Sequence, residues 1–344
     1  MALINNKKEF VNAVSTIVNV DLGIEAKVFP AVRYSTGDTI EYDMVTVTGV
    51  APSYNSFANT AKVISKNGKD RVTLNPVNFN DSISKGVIDA NKEKFGQNEY
   101  GEGQIDPVTE SALNGVGGIR LNHLIGKKKL MYEALTTHKI AGGYQGSNGA
   151  EDIVFAVPST NKIEFDGTTA GQLYWSNASA KPVTNLVTAY SAMILKPSMV
   201  IMNDVDYGKF YGSSEVRTAD NSSTGTKRNF IVNEMIDTSA DFYKAGTLME
   251  KGIVLDVYVE RGRIGGGATP FLTTGYIILC SAQGEMHFGG IPVAEADGIR
   301  MMSAEWDADE VITANPPQHM IVVRTAPLPV LKNGNAFYSM KVEA

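Results

Sequence analysis

Two short segments of the sequence contain residue types that could do chemistry. The glycine-rich run from Gly262 to Gly267 has the composition of a loop whose backbone amides could hold a phosphate group. The segment AEWDADEV places four carboxylates close together, and carboxylate oxygens are the ligands that hard divalent cations prefer. These carboxylates are Glu305, Asp307, Asp309 and Glu310. One hypothesis is therefore a nucleotide- or metal-dependent enzyme that uses both segments.

The surroundings of both segments favour simpler interpretations. A phosphate-binding loop opens a helix, but Pro270 and a strand-like run follow these glycines, which predicts a hairpin loop. The acidic segment is more typical of a solvated turn. The sequence has no Walker-type phosphate loop, no zincin or calcium-loop pattern and no nucleophile elbow. We therefore predict that the protein is not an enzyme and has no catalytic, cofactor-binding or metal-binding residues.

The histidines and the single cysteine are also predicted to be structural residues. The histidines are His123, His138, His287 and His319. Each has apolar or basic sequence neighbours and no acidic residue at the spacing of a metal site, so we expect all of them to be structural. Cys280 lies in the apolar run TTGYIILC, which predicts a buried thiol and excludes a disulfide framework.

Composition and charge exclude further classes of function. Lys and Arg total 31 and Asp and Glu total 37, which gives a formal net charge of -6. This balance argues against a surface that binds duplex DNA by counterion release. The N-terminus lacks the apolar core of a signal peptide, and no segment approaches the roughly 18 uninterrupted apolar residues of a membrane span. We expect a soluble protein made in a cytoplasm, with neither a membrane nor a specific nucleic-acid sequence as partner.

The first element is predicted to be a short amphipathic helix. In NKKEFVNAVSTIV, the residues Phe10, Val14 and Ile17 lie on one helical stripe. The segment has no globular domain of its own beneath this stripe. It should therefore lie against the main body or against a neighbouring chain.

Residues 49–85 are predicted to form a long, mostly polar β-hairpin. The strand-forming runs TAKVIS and RVTLN flank Asn67-Gly68, a strong hairpin signal. Large apolar residues are sparse here, whereas ordering the backbone costs about 1 to 2 kcal/mol per residue. Such an arm needs a partner. Its basic residues Lys62, Lys66, Lys69 and Arg71 either form a solvated loop or contact another subunit.

A long helix and a mixed sheet make up the rest of the predicted fold. Asp106-Pro107 is a typical helix start, and apolar residues then recur at helical spacing until Gly142-Gly143. The run Lys127-Lys128-Lys129 within this helix is expected to form a solvated face. From residue 151 strands alternate with helices, which is typical of a sheet with helices packed on it. We expect a long polar loop at 213–229 and a tight turn at Asn333-Gly334 between the last two strands.

Four segments in a fixed order resemble the lambda-type major capsid proteins of tailed bacteriophages, the E family. The first is FPAVRYSTGDTIEYDMV, and the second runs from GVAPSYNS to AKVISKNGKDRVTLNPVNF. The third is the helix start DPVTESALN, and the fourth is VVRTAPLPVLKNGNAFYSMKV at the end of the chain. Each is weak alone, but together they cover the ends and the framework of the chain.

The resemblance implies an α+β protein with the Hong Kong 97-type phage capsid fold. It implies an N-terminal arm at 1–30 and a hairpin called the E-loop at 45–85. A peripheral domain would comprise 31–44, 86–182 and 306–344, with a spine helix at about 106–140. An axial domain would comprise 183–305, with the 213–229 loop toward the capsomer axis. The last strands would pair with the peripheral sheet.

The resemblance also implies a function. The chain would be the head shell protein that assembles with itself into hexamers and pentamers of an icosahedral virion enclosing double-stranded DNA, built in the host cytoplasm. Nothing precedes the N-terminal helix, so a separate scaffolding protein is implied, together with a portal and a possible decoration protein. Covalent crosslinking is not expected. An encapsulin-like compartment shell is the alternative within the same architecture, and the nucleotide- or metal-dependent enzyme is the alternative outside it.

Overall fold

The computed structural model describes most of the chain. The described residues are 14, 20–37, 39–45, 69–86, 107–146, 149–216, 229–232, 240–264, 267–295, 298–314 and 317–344. Across these ranges, no helix is long and apolar enough to cross a membrane. The fold is a mixed α+β arrangement with many strands and few helices.

The longest element is a helix through the middle of the molecule. After a short helix α1 (Gly23–Val28), helix α2 runs from Pro107–Thr137, 31 residues. Its second half is buried through Met131, Tyr132 and Leu135, which confirms the long helix predicted from the apolar spacing. The helix ends earlier than predicted because His138 takes a left-handed φ of 57°, which stops the helix before the glycines.

A seven-stranded sheet forms the largest layer. Its order is β7-β19-β12-β8-β11-β10-β9. The strands are β7 (Lys162–Glu164), β8 (Met199–Asn203), β9 (Phe230–Val232), β10 (Phe242–Glu250), β11 (Ile253–Glu260), β12 (Tyr276–Cys280) and β19 (Phe337–Lys341). One face packs Ile201 and Ile278 against α2. Helices α3 (Pro182–Ala192) and α4 (Asp204–Gly212) cover the opposite face, where Val200 and Leu279 lie.

The remaining strands form smaller sheets around α2. Two of these sheets have three strands, in the orders β16-β17-β4 and β1-β13-β18. Their strands are β1 (Ala31–Tyr34), β4 (Phe79–Gly86), β13 (Gly284–Phe288), β16 (Asp307–Ala314), β17 (Pro317–Thr325) and β18 (Pro327–Leu331). Three antiparallel pairs complete the set: β2 (Ile40–Val45) with β3 (Lys69–Leu74), β5 (Lys139–Gly146) with β6 (Gly149–Val154), and β14 (Ile291–Glu295) with β15 (Gly298–Met302).

Two predicted turns do not join neighbouring strands of one sheet. The glycine-rich segment lies between β11 and β12, which are separated by β8 in the sheet, although Arg263 and Pro270 form an antiparallel bridge that closes a local hairpin within the connection. Likewise Asn333-Gly334 does not turn β18 back onto β19. It leads from the β1-β13-β18 sheet into the seven-stranded sheet. A Cβ on Gly334 would collide with the carbonyl oxygen of Ala156, so the close approach of the two segments requires glycine.

The chain ends inside the largest sheet. β19 pairs with β12 on one side and with β7 on the other. The last strand therefore belongs to the sheet that also contains β8, β10 and β11, the region predicted as axial, and not to the peripheral sheet expected from the resemblance. The pairing fixes the C-terminus because β19 has hydrogen-bonded partners on both edges.

Candidate assembly elements

The described part of the predicted N-terminal arm lies on the body of its own chain. Val14 is fully buried and packs in a small cluster with Val116, Trp306 and Ile321. Phe10 and Ile17, predicted on the same stripe, lie outside the described residues. Contact of this segment with a neighbouring subunit stays a prediction, and the burial of Val14 shows that the body supplies at least one site for it.

Two polar contacts anchor the segment that follows. The Asp21 carboxylate accepts hydrogen bonds from the Gly23 amide at 2.9 Å and from the Phe242 amide, at the start of β10, at 2.8 Å. Glu25 of α1 forms an ion pair with Lys127 of α2 at 2.9 Å. The segment therefore links the seven-stranded sheet to the long helix.

The predicted E-loop hairpin has a well-packed base. β2 and β3 pair in antiparallel register from Ile40 opposite Leu74 to Val45 opposite Lys69. Ile40 and Tyr42 are buried in the main core. Residues 46–68 connect the far ends of these strands and lie outside the described residues. Residues Phe79–Gly86, which overlap the end of the predicted 45–85 range, instead pair with β17 and so belong to a sheet of the body.

The basic residues predicted for this hairpin are only partly described. Lys62 and Lys66 lie outside the described residues, and of Lys69 only the strand backbone is described. Arg71 is exposed and forms an ion pair with Glu41 of the adjacent strand at 3.5 Å. Of the four basic residues, Arg71 therefore has a partner in its own chain. Contact of the four residues with another subunit stays a prediction.

Lys127 and Lys128 of the lysine run on α2 are buried and only Lys129 is exposed, which corrects the expectation of a solvated face. Lys128 and Glu260 form an ion pair at 3.0 Å, and both side chains are 0% exposed. The Tyr132 hydroxyl and the Gly262 amide also donate hydrogen bonds to this carboxylate. Burial raises the pKa of Glu260, and the charge of Lys128 opposes that rise. Lys128 therefore ties α2 to the end of β11 through a fully desolvated contact.

Lys127 makes the second connection of α2. Its Nζ lies 2.9 Å from Glu25 and 3.2 Å from Glu305. Arg120, about two turns earlier on the helix, donates to the same Glu305 at 2.6 Å. Adjacent lysines thus fix the helix to α1, to the segment before β16 and to the large sheet at once.

The acidic segment is likewise structural and not a solvated turn. Glu305 is the ion-pair partner of α2, Asp307 is buried, and Asp309 pairs with Arg324 at 2.8 Å. The side chain of Glu310 lies outside the described residues. Within the described part of the chain, no group of three or more His, Cys, Asp or Glu side chains could hold a metal ion.

Two histidines have carboxylate partners: that of His123 is distant in sequence, and that of His287 is two residues away. His123 Nε2 lies 2.9 Å from Asp81, and His287 Nε2 lies 3.0 Å from Glu285. His123 and Asp81 form an isolated pair, whereas the Glu285 partner of His287 also contacts Arg33 and Lys332. His138 is buried, and burial lowers its pKa to about 4. The side chain of His319 is not described. Cys280 is buried as predicted, and burial raises its pKa to about 12.

Glu285 gathers three basic groups beside the base of the hairpin. It contacts Arg33 at 2.7 Å, His287 at 3.0 Å and Lys332 at 2.7 Å. Burial alone would raise the pKa of Glu285, but the hydrogen bonds from Lys332, His287 and Arg33 outweigh it and lower the pKa to about 2. These residues line a cleft of about 370 Å³ between β2-β3 and the β1-β13-β18 sheet.

This cluster predicts an acid-sensitive contribution to stability. The pKa of Glu285 is lower in the folded state than its ordinary value of 4.5, so its contribution is complete above that value and is lost as pH falls from about 4.5 to about 2. Glu285→Gln should therefore lower the free energy of unfolding at neutral pH and flatten its fall over this range. Urea unfolding of both proteins across the acid range measures this. If the free energy of unfolding of the variant fell with pH as steeply as that of the wild type, the prediction would be contradicted.

Comparison with known proteins identifies the family. The family model described as phage major capsid protein E matches residues 8–342. The chain belongs to this phage major capsid protein family. No curated protein sequence matches it. The agreement covers almost the whole chain, so it includes the N-terminal segment, the hairpin region and the C-terminal strands.

Solved structures show the same fold for this capsid protein. A prophage capsid protein from E. coli CFT073 superposes with a TM-score of 0.63 at 13% identity, covering 98% of this chain and 99% of that one. A phage-related protein from Bordetella bronchiseptica RB50 gives 0.51 at 10% identity, covering 97% and 96%. The Hong Kong 97-type capsid fold implied by the sequence resemblance is confirmed.

Proposed function

We propose that this capsid protein assembles with itself into hexamers and pentamers of an icosahedral head shell around double-stranded DNA, and that it has no catalytic role. The observation that carries the proposal is the hairpin base. β2 and β3 are rooted in the core by Ile40 and Tyr42, and they lead into 46–68. This stretch has too few large apolar residues to build a core of its own.

The physical requirements of a shell agree with such a design. Rings around five-fold and six-fold axes need heterologous contacts that repeat at slightly different angles. An arm laid over the neighbouring copy tolerates such differences and moves its ordering cost from folding to assembly. Obligate interfaces of this kind typically bury more than about 2,000 Å².

The charge and the expected partners fit the same function. A formal net charge of -6 suits a wall that encloses DNA without binding it tightly. The resemblance supports a separate scaffolding protein, a portal and a possible decoration protein as partners, with assembly in the host cytoplasm. The family match favours a head shell over an encapsulin-like compartment.

Sedimentation velocity and electron microscopy of the purified protein test the proposal. We expect closed megadalton particles with five-fold and six-fold capsomers under suitable salt and crowding. A discrete monomer or dimer under every condition, with or without a scaffolding protein, would contradict it. Calorimetry with nucleotides and divalent ions tests the enzyme alternative, which millimolar-range binding would revive.

A further inference from the structure

Several strands form outer edges of the described sheets, and an unpaired edge can add a strand from another copy. Ile299 on β15 is the most exposed large apolar side chain among the described residues, at 79%. Exposure does not identify a partner, whereas the signs of the charges along an edge do. Among the edge strands, β1, β5 and β15 carry only basic charged residues, β2, β6, β14 and β16 carry only acidic ones, and β9 and β18 carry none.

A contact between two copies across a two-fold axis needs an edge that is complementary to itself. When a strand pairs with its own copy in antiparallel register, residues at equal distances from the central residue lie opposite each other. An edge with a single sign of charge therefore gains no ion pair from its copy, and this applies to β15 and to the other edges just named. The edge strands β3, β4 and β7 carry both signs.

Two of these three strands are poor candidates. β3 begins with the run Lys69–Arg71, in which an acid lies between two bases, so pairing about that acid brings basic residues together. In β4 the acid Asp81 is already paired with His123 of α2 at 2.9 Å. The remaining edge with both signs of charge is β7, at one end of the seven-stranded sheet.

The order of charges in β7 is complementary to itself. Its three residues are Lys162, Ile163 and Glu164. In an antiparallel pair centred on Ile163, Lys162 of each copy lies opposite Glu164 of the other, so all four charges are matched. The two charged side chains are 40% and 55% exposed and pair with each other at 3.4 Å within one chain. Both can therefore reach a partner without leaving a buried site.

The backbone of β7 supports the same register. The Phe165 amide donates to the Lys341 carbonyl of β19 at 2.9 Å. Because backbone groups alternate in direction along a strand, the amide of Glu164 and the carbonyl of Lys162 face the open edge. The Lys162 amide is already bound to the Ser159 carbonyl. In this register the free amide of each copy meets the free carbonyl of the other, which gives two backbone hydrogen bonds across the axis.

The edge and the groove beside it are formed before a partner arrives. Asn161 is 5% exposed and fixes the start of β7 by donating to the Phe337 carbonyl at 3.0 Å. On the α3 side of the sheet, Ile163 lines a groove of about 260 Å³ together with Phe165 and Met340. A second copy would place its own Ile163 at the rim of this groove and so extend its apolar lining.

We infer that two copies of this chain pair through their β7 strands across a two-fold axis, with Ile163 against Ile163 and Lys162 of each copy against Glu164 of the other. The inference rests on the proposed shell function and adds a contact to it. A two-fold contact joins one copy to one other, so it links subunits of neighbouring rings and not successive members of one ring. Three residue pairs are too few to hold two copies together alone, so the contact forms in particles, where other contacts bring the edges close.

Ile163→Cys tests the pairing with one substitution, because the axis places residue 163 of one copy against residue 163 of the other. Opposite Cα atoms in such a pair are about 4.5 Å apart, within reach of a disulfide. Mild oxidation of assembled particles should convert most subunits to covalent dimers on a non-reducing gel. Lys162→Cys is the matched control and should stay monomeric, because residue 162 lies opposite residue 164. The native Cys280 is 0% exposed and does not interfere.

The outcomes separate this contact from the shell function. Normal particles of Ile163→Cys whose subunits remain monomeric after oxidation would overturn the inference and leave the shell function standing. Equal dimer yields from Ile163→Cys and Lys162→Cys would overturn it too, because they would show no defined register. Failure of the unmodified chain to form particles would instead count against the shell function.

Charge reversal covers the case in which the cysteine variant does not assemble. Lys162→Glu and Glu164→Lys should each reduce particle yield at least about tenfold, because each sets like charges opposite each other in both pairs. The double variant Lys162→Glu/Glu164→Lys should restore most of the yield. A mixture of the two single variants should recover at least about threefold over either alone, because an acidic edge then meets a basic one.

The mixture distinguishes the contact between copies from the ion pair within one chain, which both single variants lack. Both side chains are exposed, so the urea midpoint of dispersed subunits should stay unchanged in each variant. Wild-type yield from either single variant, or no recovery in the mixture, would overturn the inference.

Discussion

Replacing residues 46–68 by an Asn-Gly turn should abolish particle formation while leaving a folded subunit. Val45 and Lys69 are opposite each other in the last described pair of β2 and β3, so a two-residue turn can close the shortened hairpin. The replacement keeps Ile40, Tyr42 and Leu74 in the core and removes only the stretch proposed to bind the neighbour. Sedimentation velocity should show a subunit-sized species with an unchanged urea midpoint.

A length-matched Gly/Ser segment in place of 46–68 is the control for connectivity. We expect it to fail as well, because it restores the length without the lysines and the strand-forming run. Particles of normal size and yield from either variant would show that the hairpin is not an intersubunit clasp.

Lys128→Met should destabilise the subunit by about 3 to 5 kcal/mol, because it leaves the Glu260 carboxylate buried without its charge partner. Lys128 and Glu260 are both fully buried, so water cannot replace the lost contact. The free energy of unfolding of dispersed subunits in urea measures the loss. Particle yield should fall with it, since α2 is tied to the seven-stranded sheet at this point.

Lys129→Met is the matched control. Lys129 is exposed on the same helix, so its replacement should change the free energy of unfolding by no more than about 0.5 kcal/mol. Removing both charges in Lys128→Met/Glu260→Met should recover part of the loss, because no unpaired carboxylate remains. Equal effects at 128 and 129 would contradict the role given to the buried pair.

The sequence predicted the elements whose signal is local. The apolar spacing after Ile119 predicted the long helix, the alternation of Ile40 and Tyr42 predicted β2, and the apolar run around Cys280 predicted a buried strand. These patterns reflect which face of one element is buried, so a single segment contains them. The family resemblance supplied the arrangement that local patterns lack.

Contacts between distant segments could not be predicted in this way. Lys128 was expected in solvent because its partner Glu260 is 132 residues away in sequence. One signal was present: Lys128 lies four residues after Leu124 and four before Tyr132, on the buried stripe of the helix. The order of the seven-stranded sheet also depends on pairings across the chain, which is why the sequence did not predict that the strands flanking Gly262–Gly267 and Asn333-Gly334 have other partners.

The sequence predicted that the hairpin needs a partner, but not which surface the hairpin contacts. Sparse apolar residues and the Asn67-Gly68 turn predicted a hairpin that needs a partner, and Arg71 and Lys69 lie on its base strand. The surface that would receive it could not be predicted, because such a surface depends on the arrangement of the whole subunit and not on one segment.

Hydrogen exchange of dispersed subunits and of assembled particles tests most directly whether residues 46–68 need a neighbouring copy to become ordered. We predict that backbone amides of residues 46–68 exchange fast in the dispersed subunit and gain strong protection in particles, while Tyr276–Cys280 in the central sheet is protected in both. Equal protection of 46–68 in the two states would contradict the account, because the hairpin would then need no second copy.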